Sequence, residues 1–214
     1  MDIHLQALSG GTVSINVSDI GVLRGALRGG VLLPSEPGYD AARAIWNAMI
    51  DRRPGMIVQA LGAADVMQAV TFAREHGVVL SVRGGGHNIA GNAVCEGGLM
   101  LDLSRMRAVR VDAAARRVRV EGGALLCDVD KETQAFGLAV PVGINSTTGI
   151  AGLTLGGGFG WTSRTFGLPR RSARSASPSS ISSARISSSP GRLHSIRCSA
   201  RVPATTGRAT TSSS

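Results

Sequence analysis

The stretch from Met56 to Asn88 constrains this 214-residue chain more than any other. Met56-Ile57-Val58-Gln59-Ala60 is a short apolar run of strand length. Ala64 to His76 follows with Val66, Ala69, Val70 and Ala73 at i, i+3, i+4 and i+7, the apolar stripe of a helix. Asp65 sits in its first turn, favourable against the helix dipole, and Gly77 stands where a C′ glycine ends a helix. Val78-Val79-Leu80-Ser81-Val82 is a second apolar run. Strand, helix and strand within about thirty residues predict a right-handed βαβ unit with parallel strands. The second strand runs directly into Arg83-Gly84-Gly85-Gly86-His87-Asn88. Three glycines free the backbone for positive φ and close approach, and successive N–H groups in such a turn form a concave nest for phosphate oxygens. The loop lies at the carboxyl end of a parallel strand, where open α/β sheets bind their ligands.

The flanking chain reads as support. Thr12 to Val17 alternates as a strand does, Val22 to Leu27 suits a short helix, and Pro34 and Pro37-Gly38 punctuate a loop. Ala41 to Ile50 reads as a helix with Ala42, Ile45 and Met49 on one face. Beyond Gly91-Asn92 and Gly97-Gly98, Leu99 to Leu103 reads as a strand. Ala108–Val111 and Arg117–Glu121 read as a hairpin whose second arm puts Val118 and Val120 on one face and Arg117 and Arg119 on the other. Gly122-Gly123 breaks the ribbon. A helix over Ala124–Phe136, closed by Gly137, and a short strand at Leu138–Val140 lead to a second glycine-rich tract. That tract, Gly143 to Gly160, holds glycines at 143, 149, 152, 156, 157, 158 and 160. Ile144, Ile150, Leu153, Leu155 and Phe159 within it call for burial, so it reads as a backbone wall against a flat ligand, with the Ser146, Thr147 and Thr148 hydroxyls as donors.

The net charge of +9 suggests a nucleic-acid partner only until it is located. All 14 acidic residues precede Pro169, and the 46 residues from there on carry fifteen serines and eight arginines without an acid or an aromatic. This tail cannot bury enough apolar surface to offset its ordering entropy, which predicts disorder over 169–214. An Arg/Ser tail could meet RNA electrostatically, but it has no aromatic for base stacking, and no nucleic-acid partner is expected. Cys95, Cys127 and Cys198 have no metal spacing and read as buried reduced thiols. No apolar run approaches the ~20 residues that span a bilayer and no signal peptide is evident, so a cytoplasmic protein without membrane contact is expected.

There is no G-x-G-x-x-G and no Gly-Lys-Ser/Thr motif, which excludes the dinucleotide fingerprint and the P-loop. What the residues do match is a family. Arg83-Gly84-Gly85-Gly86-His87-Asn88, the Gly122-Gly123 break and Thr148-Gly149-Ile150-Ala151-Gly152-Leu153-Thr154-Leu155-Gly156-Gly157-Gly158-Phe159-Gly160 resemble the PCMH-type FAD-binding domain of the vanillyl-alcohol oxidase / p-cresol methylhydroxylase superfamily, in its berberine-bridge-enzyme-like branch. The resemblance runs from about Gly38 to Leu168. It implies an α+β fold of two α+β subdomains with FAD between them, and hydride transfer from a substrate carbon to flavin N5. By it, Arg83, Gly84, Gly85, Gly86, His87, Asn88, Gly91 and Asn92 hold the cofactor from one side. Gly143, Thr147, Thr148, Gly149, Gly152, Gly156, Gly157, Gly158 and Gly160 hold it from the other. His87 matches the histidine joined to the 8α-carbon of the flavin.

Two departures qualify that implication. Bicovalent members carry a cysteine at the position of Asn145, so a single histidyl link is the most this chain implies. Past Leu168 the family continues into more of the FAD domain and a substrate domain, which the Ser/Arg tail replaces here. No catalytic acid or base is therefore assigned. The expected organisation is a lead-in over 1–37, an incomplete FAD-binding domain over 38–168, and a tail over 169–214 that reads as frameshifted. A small-molecule substrate and dioxygen are the partners implied for the intact parent, and an inactive truncated product is the alternative.

Overall fold

The computed structural model describes residues 2–168 and the pair 197–198. Strand β1 (Ile3–Gln6) pairs antiparallel with β2 (Thr12–Ile15), and α1 (Val17–Ala26) follows, its N-cap Asn16 accepting from the Ser18 N–H. The principal sheet contains β3 (Gly30–Leu32), β4 (Met56–Gln59), β5 (Leu80–Arg83) and β6 (Leu99–Asp102) in the order β3-β4-β6-β5. β4, β6 and β5 are parallel and β3 runs against them. Helix α3 (Ala63–Glu75) links β4 to β5, and β6 is inserted between the two strands it joins. Gly77 has φ +63°, as its C′ placement requires.

β4 and β6 are apolar up to Gln59 and Asp102 at their carboxyl ends because both faces of the sheet are covered. Met56, Val58, Leu99 and Leu101 meet Leu5, Ile15, Ala69 and Phe72 on one side. Ile57 and Met100 meet Tyr39, Ala42 and Val94 on the other. Asp65, 1% exposed, ties this layer to the connection between α1 and β3. Its carboxylate accepts from the backbone N–H groups of Arg28 (3.0 Å), Gly29 (3.1 Å) and Leu61 (2.8 Å). Burial pushes this carboxyl up, but the three N–H donors and the Arg28 charge outweigh it and hold it below the usual range.

A second, separate core follows. β7 (Val109–Asp112) and β8 (Arg117–Val120) form the expected hairpin, with Val118 and Val120 buried and Arg117 and Arg119 exposed. They pack with α4 (Leu126–Gln134) through Ala124, Leu126, Val129, Val140, Val142 and Ile150. Two α+β layers with separate cores are the fold class the sequence implies. A two-residue strand β9 (Arg197–Cys198) pairs with the far edge of β8. An open strand edge templates such pairing, so the disorder expected of the tail does not extend to these two residues. The rest of that expectation lies outside the described residues.

Four local expectations are corrected. The helix expected over 41–50 is only α2 (Tyr39–Arg43). Ala44 turns extended, and Trp46 N–H donates to the Gly86 carbonyl (3.2 Å), so tertiary contact overrides helix propensity and leaves Met49 91% exposed. Leu138–Val140 joins no ladder. The α3 stripe is shifted: Phe72 is buried and Val70 is not. Of the cysteines, Cys95 is buried, its thiol pushed up by burial, whereas Cys127 is exposed.

Candidate flavin site

The loop after β5 starts from an internally anchored arginine. Arg83 Nη1 donates to the Ala42 carbonyl (2.5 Å) and stands 3.7 Å from the buried Asp102 carboxylate. Asp102 also accepts from the Ser104 N–H and hydroxyl, each at 3.0 Å. Arg83 is thus both ion pair and backbone anchor, and it fixes the base of the loop from below; its Nε is buried without a partner among the described residues. Beyond it, the backbone N–H groups of Gly84, Gly85, Gly86, His87 and Asn88 make no hydrogen bond among the described residues. A run of five such donors at a parallel-strand terminus has the chemistry to meet an anion.

Gly85 touches the second tract backbone to backbone. A methyl group built on Gly149 would stand 2.5 Å from the Gly85 nitrogen, and one on Gly84 would stand 2.8 Å from the Gly122 carbonyl oxygen. Three glycine segments distant in sequence therefore meet at one point, and this close approach is what glycine makes possible there. The exit of the loop is held by Asn88, whose side chain accepts from the Asn92 N–H (3.0 Å) and whose carbonyl accepts from the Gly91 N–H (3.0 Å).

His87 is gripped from two sides. Its Nε2 lies 3.1 Å from Thr147 Oγ1, and its ring stacks on Trp46 with centroids 5.2 Å apart and planes 20° apart. Thr147 is oriented by Asn145, whose Oδ1 accepts from the Thr147 N–H (3.1 Å) and hydroxyl (2.9 Å). Trp46 was not readable as a site residue, because the 41–50 stretch reads as a helix. Its signal is the Ile45-Trp46 pair following Arg43, an apolar pair that the shortened helix leaves over.

The second tract departs from the expected wall. Ile150 to Leu155 is a short helix, α5, capped by Gly156. Gly143 and Gly158 make room for Leu153, and Gly160 packs on the Val142 carbonyl. Gly152 and Gly157 face open space. Ile150 is buried, but Ile144, Leu155 and Phe159, expected inside, are 56%, 55% and 68% exposed, and Trp161 is 83% exposed. The Ser146 and Thr148 carbonyls accept from the Cys127 and Leu126 N–H groups, which stitches the tract to α4. The Thr147 hydroxyl, expected to serve a ligand, donates to Asn145 instead. Arg107 forms a two-pronged pair with Asp128 (2.9 and 2.6 Å). Burial raises the Asp128 carboxyl, but Arg107 and the Leu125 N–H outweigh it and lower it overall.

A glycine loop at a parallel-strand terminus thus meets a second glycine tract beside a histidine. The FAD binding domain family matches residues 54–177, and this chain belongs to it. The (R)-6-hydroxynicotine oxidase of Paenarthrobacter nicotinovorans is 39% identical over 143 residues, 67% of this chain and 31% of the relative. An FAD-linked oxidoreductase of Dictyostelium discoideum is 44% identical over 123 residues, 58% of this chain and 27% of the relative. Among solved structures, 6-hydroxy-D-nicotine oxidase from Arthrobacter nicotinovorans superposes with a TM-score of 0.65 at 39% identity, over 66% of this chain and 31% of that one. The berberine-bridge-like protein 1 of Physcomitrella patens superposes with a TM-score of 0.66 at 30% identity, over 70% and 33%. This chain therefore spans about a third of the length of the curated relatives it matches. Among the described residues, no helix is long and apolar enough to cross a membrane.

Proposed function

We propose that this chain is the flavin-holding part of an FAD-linked oxidoreductase that oxidises a small molecule, with His87 as a covalent attachment point. The observation that carries this reading is the row of unpaired N–H groups from Gly84 to Asn88, lying between an anchored arginine and a histidine. Those donors suit the FAD pyrophosphate. Gly85 and Gly149 bring the two tracts together, so that Gly91 and Asn92 close one side. Thr148, Gly152, Gly156 and Gly157 edge the other, with Gly143, Gly158 and Gly160 shaping it from behind. Trp46 and Thr147 set the ring of His87 at the junction.

Bound there, FAD would supply the chemistry of accepting hydride from a substrate carbon, with dioxygen as the terminal oxidant. His87 would hold the cofactor through an N–C bond made at the expense of its imidazole N–H and a cofactor C–H, with dioxygen taking the two electrons released. A single such link agrees with Asn145 standing where a second attachment would need a thiol. FAD incubation of the 214-residue chain followed by acid precipitation tests the reading. Yellow colour retained in the pellet is expected, its loss in His87→Ala is expected too, and release of all flavin from the parent would end the covalent part of it.

A second reading is a chain that does not function by itself. It draws on Ile144, Leu155, Phe159 and Trp161, an exposed apolar rim on the second tract. Under it, the chain self-associates in gel filtration and acquires no flavin spectrum.

A further inference from the structure

The junction between the two tracts carries more than a contact, because its hydrogen-bond polarity can be worked out atom by atom. The Thr147 backbone N–H is a donor without alternative, and it points at Asn145 Oδ1 (3.1 Å). The side-chain atom facing Thr147 is therefore the amide oxygen rather than the nitrogen, which fixes the flip of Asn145. That same oxygen lies 2.9 Å from Thr147 Oγ1, so it takes the hydroxyl proton as well. A threonine hydroxyl has one proton and two lone pairs. With the proton given to Asn145, Oγ1 meets His87 Nε2 at 3.1 Å with a lone pair, and the nitrogen must carry the hydrogen. The reverse polarity would set the lone pairs of Oγ1 and Oδ1 against each other at 2.9 Å.

We propose that Thr147, its hydroxyl committed to Asn145, is a positioning residue that holds His87 in the Nε2–H tautomer, so that Nδ1 is the ring nitrogen with the free lone pair. Trp46 assists from the ring face: stacked at 5.2 Å and anchored by its own N–H to the Gly86 carbonyl, it limits rotation of the imidazole. Which nitrogen of a histidine is available to an electrophile or a proton is set by the hydrogen bond the other one makes. Asn145 and Thr147 thus do for His87 what a carboxylate or carbonyl does when it faces Nδ1, with the opposite result. The inference deepens the flavin reading and rests on it for its purpose, since Nδ1 becomes the nucleophilic atom offered to the cofactor.

The chain contains its own internal reference. His76 Nδ1 lies 2.9 Å from the Phe72 carbonyl, an obligate acceptor, which assigns His76 the Nδ1–H tautomer. Long-range 1H–15N correlation spectra of the flavin-free, 15N-histidine-labelled chain at about pH 8.5, where an ordinary imidazole is neutral, distinguish the two patterns. His87 is expected as Nε2–H and His76 as Nδ1–H. Isolated histidine already leans towards Nε2–H, so the variants are the decisive arm. Thr147→Val removes the acceptor while keeping the shape, and a population of Nδ1–H should appear at His87 with His76 unchanged. Asn145→Leu releases the hydroxyl proton to His87 and should make Nδ1–H the main form. An Nδ1–H signal at His87 in the parent, or a His87 signal unmoved by Thr147→Val, would overturn the proposal. Flavin released by acid from a chain with the Nε2–H pattern intact would count against covalent attachment alone.

Discussion

The two glycine tracts look alike in composition and use glycine for different reasons. In the first, Gly84 and Gly85 press against foreign backbone at Gly122 and Gly149, and the N–H groups of the loop have no partner among the described residues. In the second, Gly143, Gly158 and Gly160 let the tract fold back on its own Leu153 and Val142, while Gly152 faces open space. The first is also fastened from beneath by a buried ion pair, whereas the second leaves Ile144, Leu155, Phe159 and Trp161 exposed. Density of glycine therefore does not mark the ligand side of a fold. What matters is whether the missing Cβ is replaced by the chain's own side chain, by another backbone, or by nothing.

The contrast can be broken most severely at Asp102. Asp102→Ala leaves the half-buried Arg83 without its counter-ion, held only by the Ala42 carbonyl, and a loss of about 2–3 kcal/mol in chemical denaturation is expected; a loss below about 1 kcal/mol would mean that the first loop is not held from below. Gly85→Ala comes next. It forces the two tracts apart at a backbone contact and should cost about 1–3 kcal/mol, with FAD uptake lost at the same time. Asp65→Asn should cost a similar or smaller amount, about 1–2 kcal/mol, since three N–H donors lose a charged acceptor. Its pH dependence has a definite sign. The folded carboxyl lies below its unfolded value, so the stabilisation is complete above about pH 4 and disappears as the pH falls through the folded value. In Asp65→Asn the acid limb of the stability curve should flatten.

The second half should respond less. Arg107→Ala removes a pair whose arginine is 47% exposed, and solvent screening holds the expected loss to about 0.2–1 kcal/mol in thermal melts. Gly152→Ala should go the other way. The added methyl meets nothing, the position is inside α5, and a gain of about 0.5–1 kcal/mol is expected. Equal losses at Gly85 and Gly152 would erase the distinction between the tracts.

The elements with strong local patterns were legible in the sequence. The 56–82 unit, the 109–120 hairpin and α4 each carry a period of two or near four, and a glycine follows within three residues of where each ends. The glycine loop and His87 could be found because a nest needs consecutive residues, and consecutive residues are visible in a sequence. Contacts made by chain segments far apart could not be read in the same way. Trp46 reaches His87 because its N–H is captured by Gly86, forty residues on, and that capture ends a helix whose local pattern would have continued. Arg107 reads as a surface charge until α4 brings Asp128 beside it.

The sequence by itself determined that a parallel strand runs into three glycines and a histidine, since periodicity and backbone freedom are local properties. Only the tertiary structure decided what each glycine packs against, and which side chains face the histidine. Both depend on the approach of Asn145, Thr147 and Gly149 across some sixty residues of intervening chain. Such approach is set by how two separate cores pack, and no local pattern encodes it.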